Sequence, residues 1–432
     1  MRSAYTVVRG PADRVAALTI RILDRLLPSP RPFVVRLWDG SVLPADGQSR
    51  FDLALTHPGA LRRMLLPPGD LTLGEAFLRG DFEIEGDLEA AVGAIAAAAT
   101  RARLSWLTAS LRTLGLPKTS GPFPVPRRAR LGGRLHSLGR DRAAIAHHYD
   151  VGNDFYALWL DPRMIYSCAY FPTGTEDLAT AQEAKLELIC RKLRLRPGER
   201  LLDIGCGWGG LALYAAQRYG VDAVGVTLSE PQAEWARQRV ADAGKTEHCR
   251  IELRDYREVR ERGFDKIVSI GMVEHVGEAR LSEYFGRTFA LLRPGGLFLN
   301  HGIAGRPNPP LWRRLGRRAS FLNAHVFPDG DLVPIGNVTA VAEHCGFEVR
   351  DVESLREHYV RTLRLWVQRL EARRDQAVQL VGGGKYRTWR LFMAASAGGF
   401  AAARISVFQV LLAKPDTAGH AGLPWSRADL YA

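Results

Sequence analysis

Leu201-Leu-Asp-Ile-Gly-Cys-Gly-Trp-Gly-Gly210 decides how the rest of this 432-residue chain is read. Leu201 to Ile204 form a short apolar run that reads as a buried strand, and the glycines break it at once. From Trp208 the spacing turns helical, with Leu211, Leu213, Ala215 and Ala216 before Arg218, Tyr219 and Gly220. Strand, glycine turn and helix N-terminus together let backbone N–H groups approach a bound molecule closely. Four glycines in six residues argue against a turn that merely reverses the chain. Gly205, Gly207 and Gly210 also satisfy G-x-G-x-x-G, a spacing shared with dinucleotide sites and indecisive alone.

Two details separate the possibilities. Asp203 stands two residues before the first glycine, the D-x-G-x-G turn of S-adenosylmethionine methyltransferases. The second strand, Ala223 to Thr227, ends in Thr-Leu-Ser and lacks the acid that would grip an NAD ribose. S-adenosylmethionine is therefore the expected cofactor. A helix over Leu178–Leu193, with Leu186, Ile189 and Leu193 inward, feeds the turn. Beyond it, Ser229 caps a helix that has Pro231 at its first position. Strands follow at Ile251–Leu253, Phe264–Ile270 and Gly296–Asn300, with a helix over Glu278–Leu292. Later come helices at Val338–Cys345 and Tyr386–Phe400 and strands at Phe347–Val352 and Ile405–Ala413. This alternation predicts an α/β fold with a doubly wound, mostly parallel sheet, Rossmann-like and of the class I S-adenosylmethionine methyltransferase type. Its ligands should lie at the C-terminal ends of the strands.

The length predicts two domains. Upstream, an amphipathic helix (residues 12–27), strands at Phe33–Trp38 and Phe51–Leu55, and helices near Pro58–Leu66, Leu73–Leu78 and Leu88–Leu114 form a small mixed α/β domain over residues 1–116. It carries no catalytic constellation, so contact with lipid or with a second copy is its expected work. Residues 117–142 read as a basic, Pro/Gly-rich linker, 143–414 as the catalytic domain with a cap inserted at about 306–333, and 415–432 as a polar tail. No run approaches the ~20 apolar residues that span a bilayer, and no signal peptide is evident. Five cysteines without a C-x-x-C pair argue against a disulfide framework or a metal site, and for a reducing cytoplasm. The net charge is +13, and residues 101–142 hold nine Arg and one Lys against Asp141 alone. A second basic patch, Arg306, Arg313, Arg314, Arg317 and Arg318, interleaves with Leu311, Trp312, Leu315 and Phe321. No nucleic-acid motif accompanies this charge. An anionic membrane surface is the expected partner, and the protein is expected to sit peripherally on the inner face of the membrane.

Residues 143–413 resemble the cyclopropane-fatty-acyl-phospholipid synthase family. The stretches that carry the likeness are His148-Tyr-Asp-Val-Gly-Asn153, Tyr166-Ser-Cys-Ala-Tyr170, Leu202-Asp-Ile-Gly-Cys-Gly-Trp-Gly209 and Gly225-Val-Thr-Leu-Ser229, then Asp255-Tyr-Arg257, Ser269-Ile-Gly-Met-Val-Glu-His-Val-Gly277 and Phe327-Pro-Asp-Gly330. Leu73-Gly-Glu75 and Gly80 to Gly86 look more loosely like the family's auxiliary domain. The resemblance implies methyl transfer from S-adenosylmethionine to the cis double bond of an unsaturated phospholipid acyl chain, giving a cyclopropane. It also implies a bound bicarbonate as base, held by Cys168, Glu274, His301, Ile303 through its backbone, and Tyr359. For the cofactor it implies Asp203, Gly205 and Gly207 at the methionine end with Tyr166 and Ser167. Thr227, Leu228 and Gln232 would sit at the ribose, and Asp255 and Tyr256 at the adenine. A homodimer is suggested by the family alone.

The residue types suit that chemistry. An alkene is a poor nucleophile, so the sulfonium methyl must be held close and in line, with water excluded. Aromatic faces can stabilise a carbocation without reacting, and Tyr166, Tyr170 and Trp366 are candidates, with core packing the plainer role for the last two. Cys168 could be a buried small hydrophobe, His358 competes with Tyr359, and His148 and His275 could be structural. Three alternatives stay open: a methylene- or methyl-branched product of the same carbocation, a small-molecule N-methyltransferase, and a lipid-binding protein without activity.

Overall fold

The computed structural model of the chain describes residues 13–27, 30–101, 103–129, 131–149, 151–307 and 320–430. The first elements are helices α1 (Arg14–Leu26), α2 (Ala60–Leu65), α3 (Asp70–Arg79), α4 (Leu88–Arg101) and α5 (Arg103–Arg112), with strands β1 (Val34–Arg36), β2 (Val42–Leu43), β3 (Phe51–Leu55) and β4 (Phe82–Gly86). Next come α6 (Leu138–Tyr149), α7 (Asn153–Ala157) and α8 (Leu178–Leu193). The alternation runs β5 (Arg200–Ile204), α9 (Gly210–Tyr219), β6 (Asp222–Thr227), α10 (Glu230–Asp242), β7 (Cys249–Leu253), β8 (Phe264–Ile270), α11 (Val273–Val276), α12 (Leu281–Leu291) and β9 (Leu292–Gly305). The remainder holds α13 (Phe321–His325), α14 (Ile335–His344), β10 (Glu348–Ser354), α15 (Arg356–Ala372), α16 (Arg374–Ala401) and β11 (Ile405–Ala413). Contacts divide these into two compact units. One runs to Ala129 and adds the stretch ending at Val326 and Glu371–Gly398; the other holds the rest.

In the first unit a four-stranded sheet has the order β2-β1-β3-β4, β1 and β3 being parallel. Phe51, Leu53 and Leu55 alternate inward, as a half-buried strand requires. β4 was not anticipated, because its alternation lasts only Phe82 to Ile84 before Gly86. The helix expected over Leu88–Leu114 is two, α4 and α5. The stretch expected as linker is anchored at its start by polar contacts that leave no periodic trace. The Gly121 amide donates to Asp81 at 2.6 Å, and Arg128 donates to Glu75. At its end it becomes helix α6. Most of α16, expected in the catalytic domain, belongs to this first unit. Its buried Arg387 stacks 4.3 Å over the Phe77 ring and donates to Glu83 and to the Phe77 carbonyl.

The second unit carries a seven-stranded sheet of order β10-β11-β9-β8-β5-β6-β7, in which only β11 runs antiparallel to its neighbours. Strand alternation builds two cores. Leu201 and Ala223 face Ile189, Leu193, Leu211 and Ala215 of α8 and α9, while Leu202, Ile204 and Val226 face Tyr284, Phe285, Val338 and Phe347. The tail, expected to lack core contacts, is docked. Leu430 is buried, Asp429 accepts from Arg194, and Arg427 bonds Asp351. Of the expected cap, Leu311, Trp312, Arg313, Arg314, Leu315, Arg317 and Arg318 lie outside the described residues. Phe321 begins α13 in the first unit, and residues 327–333 belong to the second.

Candidate active site

The strand order reverses between β5 and β8, and an open α/β sheet gathers its ligands at that point. Here the turn after β5 holds Gly205, Gly207 and Gly209 at φ of +77°, +55° and +75°, values that disfavour any side chain. The amides of Gly205 and Cys206 both donate to the Val226 carbonyl, folding the turn against β6. A Cβ on Gly205 would overlap the Met272 side chain. The result is a cleft of about 950 Å³, open volume included, lined by Gly205, Gly207, Thr227, Leu228, Gln232, Asp255 and Tyr256 of the expected cofactor set.

Within the cleft the Thr227 hydroxyl donates to Gln232 Oε1 at 3.0 Å, which leaves the amide N–H groups of Gln232 to a ligand. Ser229 stands at the α10 N-cap, but its hydroxyl makes no capping bond. Asp255 differs from expectation. Both carboxylate oxygens accept from Arg257, which also bonds Asp141 and the His136 carbonyl, so Asp255 lines the cleft as half of an ion pair beside Tyr256. The reading from sequence also missed His136, Tyr149 and Met272 in the lining. His136 carries no local signal, because it meets the glycine turn from 69 residues upstream. Arg257 lay in a quoted motif and could have been found there.

Tyr166, Ser167 and Asp203 are not among the residues lining this cleft. Asp203 is 3% exposed, and burial raises its carboxyl to about 7 against the pull of Lys185. The Tyr166 ring lies 5.2 Å from Trp366, 5.3 Å from Trp159 and 5.5 Å from Tyr156, so an aromatic cluster does form. Tyr170 stands apart, 4.8 Å from the His358 ring. Glu274, Tyr149, Tyr166 and Tyr359 are set deep in the protein, each keeping part of its surface accessible.

Of the residues expected to hold a base, Tyr359 lies near enough to Cys168 and Glu274 for their charges to act on one another. Gly271, just past β8, donates to the His301 carbonyl on β9, placing α11 and its Glu274 beside the strand end. Glu274 Oε1 accepts the Ile303 amide at 2.6 Å, while Oε2 is buried without a partner. Burial raises its carboxyl to about 7, the Ile303 amide pulling the other way. Ile303 thus differs from expectation: its amide is already given to Glu274. His301 is 2% exposed, and burial lowers its imidazole to about 3, so it is neutral. Its Nδ1 faces the Gln409 amide nitrogen at 3.3 Å, and its Nε2 has no partner. Cys168 is fully buried, its thiol raised by burial and donating to the carbonyls of Ala169 (3.2 Å) and Leu355 (3.6 Å). That is a contact group, not a thiolate nucleophile. His358 accepts the Phe171 amide at 3.0 Å, a structural bond that occupies its Nδ1.

A doubly wound sheet with a positive-φ glycine turn at its switch point and a nucleoside-sized cleft defines a class I S-adenosylmethionine-dependent methyltransferase. The family described as mycolic acid cyclopropane synthetase matches residues 136–410, and the chain belongs to it. It is 39% identical over 403 residues to a probable fatty acid methyltransferase of Pseudomonas putida, covering 93% of this chain and 96% of that one. To the cyclopropane-fatty-acyl-phospholipid synthase of Escherichia coli K12 it is 34% identical over 376 residues, 85% of this chain and 89% of that one. A crystal structure of a mycolic acid cyclopropane synthase complexed with SAH and CTAB is similar at a TM-score of 0.59 and 37% identity, covering 63% of this chain and 97% of that one. No helix among the described residues is long and apolar enough to cross a membrane.

Proposed function

We propose that this methyltransferase acts on the cis double bond of an unsaturated phospholipid acyl chain and converts it to a cyclopropane. The carrying observation is the pair of unpartnered buried atoms, Glu274 Oε2 and His301 Nε2, at the strand ends beside the aromatic cluster. Buried polar atoms without partners call for an explanation, and these two stand on elements that pack together, Glu274 on α11 and His301 on β9, which suits a small polar ligand. With Nδ1 facing an amide donor, His301 carries its proton on Nε2 and has it to offer a ligand. Glu274, raised to about 7, is substantially protonated and can donate as well. These groups, with Tyr359 and Cys168 nearby, fit a bound bicarbonate, which would supply a weak base. The cofactor supplies an electrophilic sulfonium methyl when bound.

The chain's own residues do the rest. The glycine turn and Gln232 hold the nucleoside, and Tyr166 and Trp366 exclude water and face positive charge with their rings. Methyl addition leaves a carbocation on the acyl chain; loss of a proton from the added methyl group closes the ring. The basic segments would hold the protein on an anionic membrane, with a second copy as a possible partner. The name of the Pseudomonas putida relative supports a second reading, in which the proton leaves a neighbouring carbon and a methylene- or methyl-branched chain results.

Incubation with dioleoyl phosphatidylglycerol vesicles and labelled S-adenosylmethionine, followed by NMR of the acyl product, tests this. Ring protons support the first reading, and retained olefinic protons the second. Labelling of a soluble amine instead would end both. Glu274→Gln and His301→Ala should abolish turnover and leave cofactor affinity within about threefold of wild type, less than 1 kcal/mol. Equal loss of both would remove them from the base site. Decarbonated buffer should slow the wild type, and added bicarbonate should restore it.

A further inference from the structure

Lys185 lies on α8 at 1% exposure, unusual for a lysine without an ion-pair partner. One turn earlier on the same helix, Gln182 donates to the carbonyls of Ile165 (3.3 Å) and Ser167 (2.9 Å). Lys185 completes this grip by donating from Nζ to Ser167 Oγ at 2.8 Å. That is its one hydrogen bond, and no carboxylate among the described residues lies within 4.0 Å of it. An ammonium has three N–H donors and no acceptor. Two donors of a buried cation are therefore left for something that is not protein, and a buried charge is costly until an anion completes it.

Ser167 carries the second half of the argument. Lys185 can only donate, so the Ser167 oxygen accepts from it and the hydroxyl hydrogen turns outward to a further acceptor. Among the described residues no group takes that hydrogen. Asp161, Cys168 and Asp203 all lie close enough to Lys185 to act on its charge, the buried Asp161 most strongly and Asp203 least. A cation and a buried carboxylate set this way match the two ends of an amino acid, carboxylate to the first and ammonium to the second.

We propose that Lys185 is a positioning residue for the cofactor, aiming the Ser167 hydroxyl and its own free N–H groups at the carboxylate of the methionine moiety. This deepens the placement of Ser167 and Asp203 at the methionine end, and rests on it. Holding that carboxylate fixes the sulfonium along the axis on which the methyl must leave.

The probe is decarboxylated S-adenosylmethionine, which keeps the sulfonium and the ammonium and lacks only the carboxylate. Calorimetric Kd values for both forms are compared in the wild type, in Lys185→Met and in Ser167→Ala. The wild type should prefer the carboxylated form by about tenfold to a hundredfold, as for a charged hydrogen bond. Lys185→Met should lose most of that preference by weakening the carboxylated form alone, and Ser167→Ala should lose part of it. Ser167→Ala leaves α8 intact and carries the test if the methionine variant does not fold. Equal weakening of both forms would reduce Lys185 to a packing role and overturn the proposal. A wild type that binds both forms equally well overturns it too. A wild type that binds neither overturns the cofactor placement beneath it.

Discussion

Glu274 shows how a single side chain reports its surroundings through its proton. Its carboxyl, ordinarily at 4.5, is raised to about 7 by burial. Between those values the folded chain binds more protons than the unfolded one. Its contribution is therefore full below pH 4.5 and is lost as the pH climbs through 7. Glu274→Gln cannot ionise and escapes that loss. Denaturant unfolding should find the variant more stable than wild type at pH 8 by about 2 kcal/mol, less than the whole shift implies because Glu274 keeps part of its surface accessible. The difference should vanish near pH 4; a constant difference across that range would mean the carboxyl titrates normally. This environment could not be read from the chain, because Glu274 becomes enclosed only when Tyr149 and Tyr359, over 80 residues away on either side, close around it. The identity of the residue was legible from its motif, and its protonation was not.

The helix α11 is only four residues long, yet it sets where Glu274 points. It sits on β9 because position 302 is glycine: a Cβ there would overlap Val273. Gly302→Ala should push α11 off the strand and break the 2.6 Å bond from the Ile303 amide. Overpacking of this kind costs about 1–3 kcal/mol. Turnover should fall at least about tenfold while cofactor affinity stays within about twofold, since the glycine turn is untouched. Unchanged turnover would detach the Ile303 bond from the chemistry. Elements with strong local signals were legible: Leu201 to Gly210 declares strand, turn and helix in ten residues, and α8 starts and ends at the expected Leu178 and Leu193. Those that rely on distant partners were not. β4 is pinned by pairing with β3, and Asp255 is turned by Arg257 and the more distant Asp141.

For the molecule as a whole, boundaries read from composition failed where polar anchors replace apolar spacing. Arg387 draws α16 to the first unit, and Asp429 with Leu430 docks a tail that has no pattern of its own. The basic character remains a prediction at this scale. Replacing Arg313, Arg314, Arg317 and Arg318 with Ser should weaken sedimentation with anionic vesicles and flatten its dependence on salt, since exposed charge acts over only about 8–10 Å at physiological ionic strength. Unchanged sedimentation would take the membrane role away from that segment. The placement of β11 between β10 and β9 bears on how the enzyme comes into being. During synthesis β9 must wait with one edge bare, and His301 without Gln409, until residues 405–413 have left the ribosome. A nascent chain therefore forms the strands around its glycine turn well before Gln409 can meet His301, so the sheet closes from its middle toward its last-made strand.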